Sequence, residues 1–101
     1  MSVINLSQTA STLPQAWSSV TLANIGNTNF KILRMDEQEY AAETHPHAEI
    51  LLVVDGQLNL AIDNQSVVVR KGEAYMVPAN TPHSVAHGSF GTLLIFDSVE
   101  P

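Results

Sequence analysis

The 101-residue sequence contains no cysteine, which excludes disulfides, thiolate metal sites and a cysteine nucleophile. Basic residues are scarce: four Lys and Arg stand against ten Asp and Glu, and the formal net charge is −6. We therefore expect neither nucleic-acid binding nor adhesion to an anionic membrane. No apolar run approaches the ~20 residues of a membrane span. The N-terminus lacks the charged flank and apolar stretch of a secretory signal, so we expect a cytoplasmic protein.

Apolar residues make up 45% of the chain and charged residues 14%, a balance typical of one compact globular domain. Residues 1–28 are polar and mixed, and we interpret them as an N-terminal arm. A short helix is predicted near Ile4–Leu13, with Asn5 or Ser7 as its cap. Trp17 is the predicted anchor that docks this arm onto the main domain, residues 29–101.

From residue 29 onward the sequence indicates a succession of short strands. Residues 58–62 alternate apolar with polar or small side chains, the period of a strand with one buried face. Asp55-Gly56, between this run and the apolar run 51–54, predicts a tight hairpin. Asp63-Asn64 and residues 70–73 predict two further turns. Seven or eight such strands, with no helical segment between them, indicate an all-β sandwich or small closed barrel.

All the histidines of the chain lie in two short windows. The first window, ETHPHAE, has a glutamate at each end, and the second is TPHSVAH. Imidazole and carboxylate are common ligands of divalent first-row metals. The candidate ligands are Glu43, His45, His47 and Glu49 in the first window and His83 and His87 in the second.

Strand geometry limits how the first window can act. Alternate residues of a regular strand share a face, so its two glutamates and two histidines would form a straight row. Such a row cannot converge on one ion, and Pro46 can interrupt it, so only a subset can act together. Taken alone, the window is equally well interpreted as a solvated loop. His83 favours a metal site, because it would bring a third imidazole from a second strand.

The second window resembles a motif of the cupin superfamily, in its small single-domain form. The family pattern is Gly, five residues, Pro-x-Gly, two residues, His, three residues and Asn. Gly72, Pro78 and His83 stand at the family spacing. Asn80 takes the place of the middle glycine, and Asn also tolerates left-handed backbone. His87 takes the place of the final Asn, and the resemblance covers about residues 29–97.

The first window resembles the family pattern His-x-His, three or four residues, Glu, six residues, Gly. Glu49 and Gly56 fit that pattern. The two histidine positions can be matched in two ways. Either Glu43 and His45 occupy them, or His45 and His47 do, with a single residue left before Glu49.

The resemblance implies an antiparallel jelly-roll barrel, a double-stranded β-helix, behind the short arm. It implies one divalent first-row metal ion (Zn, Mn, Fe or Ni) held by His45, His47, Glu49 and His83, the three-His, one-Glu set usual in the family. Glu43 competes with His47 for the fourth place, and would shift the preference toward harder ions such as Mn²⁺. His87 is a further candidate, with a structural role as the rival interpretation.

The resemblance also implies a function. A cupin of this kind acts on or binds a small polar molecule (a carbonyl compound, an enediol or a sugar-like compound) at its metal, as a metal-dependent isomerase or dioxygenase. Glu43 is the candidate general base if it does not bind the metal. The alternative is a non-catalytic ligand-binding or sensor barrel with a degraded metal site, which the departures in the first motif favour. The family habit of dimerising implies a homodimer, in which the N-terminal arm, residues 1–28, would form the interface if it does not dock onto its own domain.

Overall fold

The computed structural model describes residues 2–99. Residue 1 of the predicted N-terminal arm and residues 100–101 of the predicted main domain lie outside the described residues. The prediction of an antiparallel all-β fold is confirmed. No helix among the described residues is long and apolar enough to cross a membrane. The elements are α1 (Leu6–Ser11), β1 (Val20–Ile25), β2 (Thr28–Met35), β3 (Tyr40–Glu43), β4 (Glu49–Ile62), β5 (Gln65–Arg70), β6 (Ala74–Val77), β7 (His83–Val85) and β8 (Phe90–Ser98).

The eight strands form one antiparallel sheet in the order β1-β2-β8-β4-β7-β3, with β5 and β6 also paired to β4. β4 is the central strand: β8 and then β7 pair with one edge, and β6 and then β5 pair with the other. The sheet curls into a half-barrel of the jelly-roll type, and partner strands cover both edges of β4.

The predicted hairpin at Asp55-Gly56 is wrong, because these residues continue β4 without a turn. A register shift against β8 between Val53 and Asp55 leaves Val54 as an extra residue, a β-bulge. Odd-numbered residues are buried before the bulge and even-numbered residues after it. Because the buried positions change from odd to even numbers at the bulge, the sequence of this single strand resembles two strands joined by a turn. Gly56 does adopt a positive φ of 84°, but it does so where β4 closely approaches β8.

Other local predictions are confirmed. Asn5 caps α1, and its Oδ1 accepts a 3.0 Å hydrogen bond from the Gln8 N–H. Asp63 and Asn64 both adopt left-handed backbone, with φ of 50° and 62°, in the hairpin between β4 and β5. β1 was not predicted from the sequence: five of its six residues are exposed, so no buried face marks it, and it is recognisable as a strand by its pairing with β2.

The sheet has an apolar cluster on each side. The inner cluster includes Leu33, Val53 and Leu93, and Trp17 packs against it. The outer cluster lies beneath α1, where Ala10 meets Ile32 and Leu94. Trp17 anchors the segment after α1 as predicted: its indole N–H donates to Asp36 Oδ1 at 2.7 Å, and its backbone N–H donates to the Arg34 carbonyl at 2.9 Å. The chain before β1 thus covers the outer face and then reaches the mouth of the half-barrel.

Candidate metal centre

The inner face of the half-barrel encloses a cavity of about 230 Å³. This is below the ~300–1,000 Å³ typical of pockets for drug-sized ligands, so the cavity suits a small occupant. Most of the surface of its wall is apolar, although many lining residues also present polar groups. The polar and aromatic lining residues are Trp17, Ser19, Lys31, Tyr40, Glu43, His45, Glu49, His83 and Asp97.

His83 lies at the start of β7 and is 7% exposed. Its Nδ1 is 2.9 Å from the Thr81 carbonyl oxygen, which can only accept, so Nδ1 carries a proton and donates it. That hydrogen bond fixes the ring and directs Nε2 away from Thr81 toward Glu49, whose Oε1 lies 2.9 Å from it. Glu49, 8% exposed at the start of β4, shares the inward face with Leu51. A buried carboxylate is thus paired with a buried imidazole.

Glu43 and His45 complete the group beside His83. Glu43 ends β3 and lies opposite His83 in the pairing of β3 with β7. His45 Nε2 is 3.4 Å from Glu43 Oε2, and the centroids of the His45 and His83 rings are 5.8 Å apart. One potential ligand atom from each of these three residues lies within 4.8 Å of the others.

Asn80 links the two histidine windows through the backbone. Its N–H donates to the His45 carbonyl oxygen at 2.7 Å. Its φ is 59°, in the left-handed region that the resemblance to a glycine position predicts. The turn after β6 therefore holds the loop that carries His45.

His47 and His87 are not among the three residues whose ligand atoms lie within 4.8 Å of one another. β3 ends at Glu43 and β4 begins at Glu49, so the window between them is not a regular strand. His47 is half-buried in the bend at residues 46–47, outside the set of residues that line the cavity. His87 is exposed in the turn between β7 and β8, and its carbonyl oxygen accepts from Asn59 Nδ2 at 3.1 Å. Ligation by the predicted set His45, His47, Glu49 and His83 stays a prediction.

The sequence analysis missed a second polar pair in the cavity wall, Lys31 and Asp97. Lys31 stands two residues before Leu33, and Asp97 two residues after Ile95, so strand alternation could have placed both on the inward face.

The donor chemistry of this group fits a divalent first-row metal. Bonds of about 2.0–2.2 Å from such an ion to nitrogen and oxygen place any two ligand atoms at most about 4.4 Å apart. The ligand atoms of Glu43, His45 and His83 all lie within 4.8 Å of one another, which is close to this limit. His83 also has the supporting contact common to metal-bound histidines, a hydrogen bond from the ring nitrogen that faces away from the ion.

Comparisons with known proteins agree with this fold. A cupin structure from Shewanella frigidimarina superposes with a TM-score of 0.85 at 26% identity, covering 95% of this chain and 94% of that one. A protein from Neisseria meningitidis gives 0.81 at 21% identity, with coverages of 96% and 99%. One from Thermus thermophilus gives 0.79 at 17% identity, with both chains fully covered. The search of curated proteins found no match. The sequence profile of the cupin domain matches residues 23–98, and the chain therefore belongs to the cupin family.

Proposed function

We propose that this chain binds one divalent first-row metal ion in its half-barrel and, through that ion, a small polar molecule. The ligands in this proposal are Glu43, His45, Glu49 and His83, with Glu43 in the place that the sequence analysis gave to His47. The observation that carries the proposal is the meeting of two imidazoles and a carboxylate, from separate parts of the chain, at the wall of one cavity.

Burial supports the same assignment. Two ionisable groups, Glu49 and His83, are less than 10% exposed and face a mostly apolar cavity. Burying such groups is costly unless they are paired or bind a metal. Their mutual contact meets part of this need, and it places Glu49 Oε1 2.9 Å from the His83 nitrogen that would bind the ion.

A bound divalent ion would polarise a carbonyl or hydroxyl oxygen of the small molecule. The protein's own residues position the metal ligands. Thr81 holds the His83 ring through Nδ1, and Asn80 holds the His45 loop. The mostly apolar wall lowers the local dielectric and so strengthens each polar contact to the ligand.

Metal content tests the proposal directly. The purified full chain is incubated separately with Zn²⁺, Mn²⁺, Fe²⁺ and Ni²⁺, dialysed, and analysed by elemental mass spectrometry. We expect close to one ion per chain for at least one of these metals. His83→Gln should abolish retention, whereas His87→Gln is the matched control, because His87 is exposed and outside the cavity. Far-UV circular dichroism checks that both variants fold. Equal metal content in the two variants would overturn the proposal.

The second candidate function is a barrel that binds a small molecule without a metal. The observation that favours it is the glutamate at position 43, where one match to the family motif has a histidine. Failure of all four metals to bind, together with retained binding of small polar molecules to the untreated protein, would establish it in place of the first.

A further inference from the structure

A second charged pair lies in the wall of the same cavity. Lys31 Nζ is 2.7 Å from Asp97 Oδ2, and the two side chains are 25% and 22% exposed. Lys31 belongs to β2 and Asp97 to β8, whose inward-facing neighbours Leu33 and Ile95 also line the cavity. The site therefore has a charged anchor in addition to the Glu43, His45, Glu49 and His83 group.

Asp97 is held from its other side. Asn29 Nδ2 donates to Asp97 Oδ1 at 2.9 Å, and Asn29 Oδ1 in turn accepts from Asn24 Nδ2 at 2.6 Å. Both carboxylate oxygens of Asp97 therefore already accept a hydrogen bond. This chain of contacts across β1, β2 and β8 fixes Asp97, and Asp97 fixes the ammonium group of Lys31.

The Lys31 ammonium has unused donors. A lysine ammonium carries three N–H groups, and within residues 2–99 its partner is Asp97. Each oxygen of Asp97 already accepts one hydrogen bond, so the groups of this pair that are left to donate to a ligand are the remaining N–H groups of Lys31. The small group that matches such donors best is a carboxylate, which only accepts and forms strong charge-assisted hydrogen bonds.

The net charge of the cavity-lining groups determines whether an anionic acid can bind. Its lining includes three carboxylates, from Glu43, Glu49 and Asp97, and one ammonium, from Lys31, so negative groups outnumber positive ones even when the proton between His83 and Glu49 is counted. A divalent ion offsets this excess. An anionic ligand should therefore bind well only after the metal, and each should raise the affinity for the other.

We propose that Lys31 is the carboxylate anchor of this site, and that the ligand is a small hydroxy or oxo acid whose oxygen at the other end meets the metal. This inference rests on the proposed function, because the metal both binds the second end of the acid and removes the electrostatic barrier to it. Asp97 is a positioning residue for Lys31.

Calorimetric titration of the metal-loaded full chain tests this inference. The probes are glycolate, hydroxypropanoate and hydroxybutanoate, each with its hydroxyl on the terminal carbon, and the diols of equal carbon number serve as neutral controls. The probe length that binds best reports the span between the metal and Lys31. Lys31→Met removes the charge but keeps most of the side-chain volume. Lys71→Met is the matched control, because Lys71 is exposed in the turn between β5 and β6.

We expect Lys31→Met to weaken binding of the best hydroxy acid by about 10–100-fold, since one charge-assisted hydrogen bond is lost. Diol binding and metal content should not change, and Lys71→Met should behave as the unmodified protein. Chelation of the metal should weaken acid binding at least about 10-fold. If Lys31→Met misfolds because Asp97 is left unpaired, the double variant Lys31→Met/Asp97→Asn removes both charges and still lets residue 97 accept from Asn29.

The outcomes separate the two proposals. Failure of the unmodified protein to bind any metal would overturn the proposed function and this inference with it. Normal metal loading combined with no acid binding, or with equal acid affinity in the Lys31 variants and the unmodified protein, would overturn this inference alone.

Discussion

Glu49 Oε1 lies 2.9 Å from His83 Nε2, although the two residues belong to opposite ends of the β4 ladder. Glu49 begins β4, whereas His83 pairs with Ile62, which ends it. A straight strand of that length would separate its ends by roughly 43 Å. The contact therefore exists only because β4 curls strongly, and the curvature of one strand brings the two histidine windows together.

Gly56 closely approaches Gly91 where β4 pairs with β8. A Cβ added at Gly56 would collide with the Phe90 carbonyl, whereas one added at Gly26, which also has a positive φ, would meet no atom within 4 Å. We expect Gly26→Ala to cost about 1–2 kcal/mol for its left-handed backbone. Gly56→Ala should cost about 1–3 kcal/mol more, because it also crowds a packed site. Urea denaturation measures both, and equal losses would contradict this account of Gly56.

Asn80 gives a prediction that separates backbone conformation from side-chain chemistry. Its φ of 59° suits Asn or Gly, and its N–H holds the His45 carbonyl. Asn80→Gly should keep the free energy of unfolding within about 0.5 kcal/mol, whereas Asn80→Ala should lower it by about 1 kcal/mol. Metal affinity should fall only in the alanine variant, because the His45 loop is then held less firmly. An alanine variant as stable as the glycine variant would show that this conformation is not a constraint.

Glu43 and His47 can be distinguished by substitution. Glu43 lies within 4.8 Å of both His45 and His83 at the ligand atoms, and His47 lies outside the cavity lining. We expect Glu43→Gln to weaken metal binding at least about 10-fold, as loss of one ligand commonly does, and His47→Gln to leave it nearly unchanged. Competition with a chelator measures the affinity. Weaker metal binding in His47→Gln but not in Glu43→Gln would instead support His45, His47, Glu49 and His83 as the ligands.

Metal binding should also stabilise the fold. An ion that binds only the folded chain, at about 100 times its dissociation constant, adds about 2.7 kcal/mol to the free energy of unfolding. Denaturation midpoints with and without the ion measure this gain, and a chelator should reverse it. The His83→Gln variant should show no gain. Identical midpoints for the unmodified protein with and without metal would contradict binding to the folded state.

Much of the fold could be predicted from local chemistry. Asp63-Asn64 marks a hairpin because both residues must adopt positive φ, and alternation in residues 58–62 marks a strand because one side is buried. Asp55-Gly56 has the same turn-forming residue types, but it follows the bulge at Val54 within β4. Only the pairing of β4 with β8 shows this difference. β1 was missed for a related reason, since pairing with β2 rather than burial makes it a strand.

The candidate site was predictable to a similar degree. The spacing of Gly72, Pro78 and His83 identified the β7 histidine, which the structure places in the cavity wall beside His45 and Glu49. The choice between Glu43 and His47 depends on where β3 ends and where the chain bends, and an amino-acid pattern does not carry that information. Lys31 escaped notice because a single lysine among apolar residues usually faces water.

The extra residue in β4, Val54, makes the number of residues in this strand important for the site. It is the one residue by which this part of β4 exceeds its partner strand. A chain without it would still direct alternate side chains inward, but the strand would lose the bend that a bulge introduces. Glu49 and His83 would then move apart with no change to either residue. In relatives of this protein, a gap at this position should therefore accompany a changed site even where both Glu49 and His83 are retained.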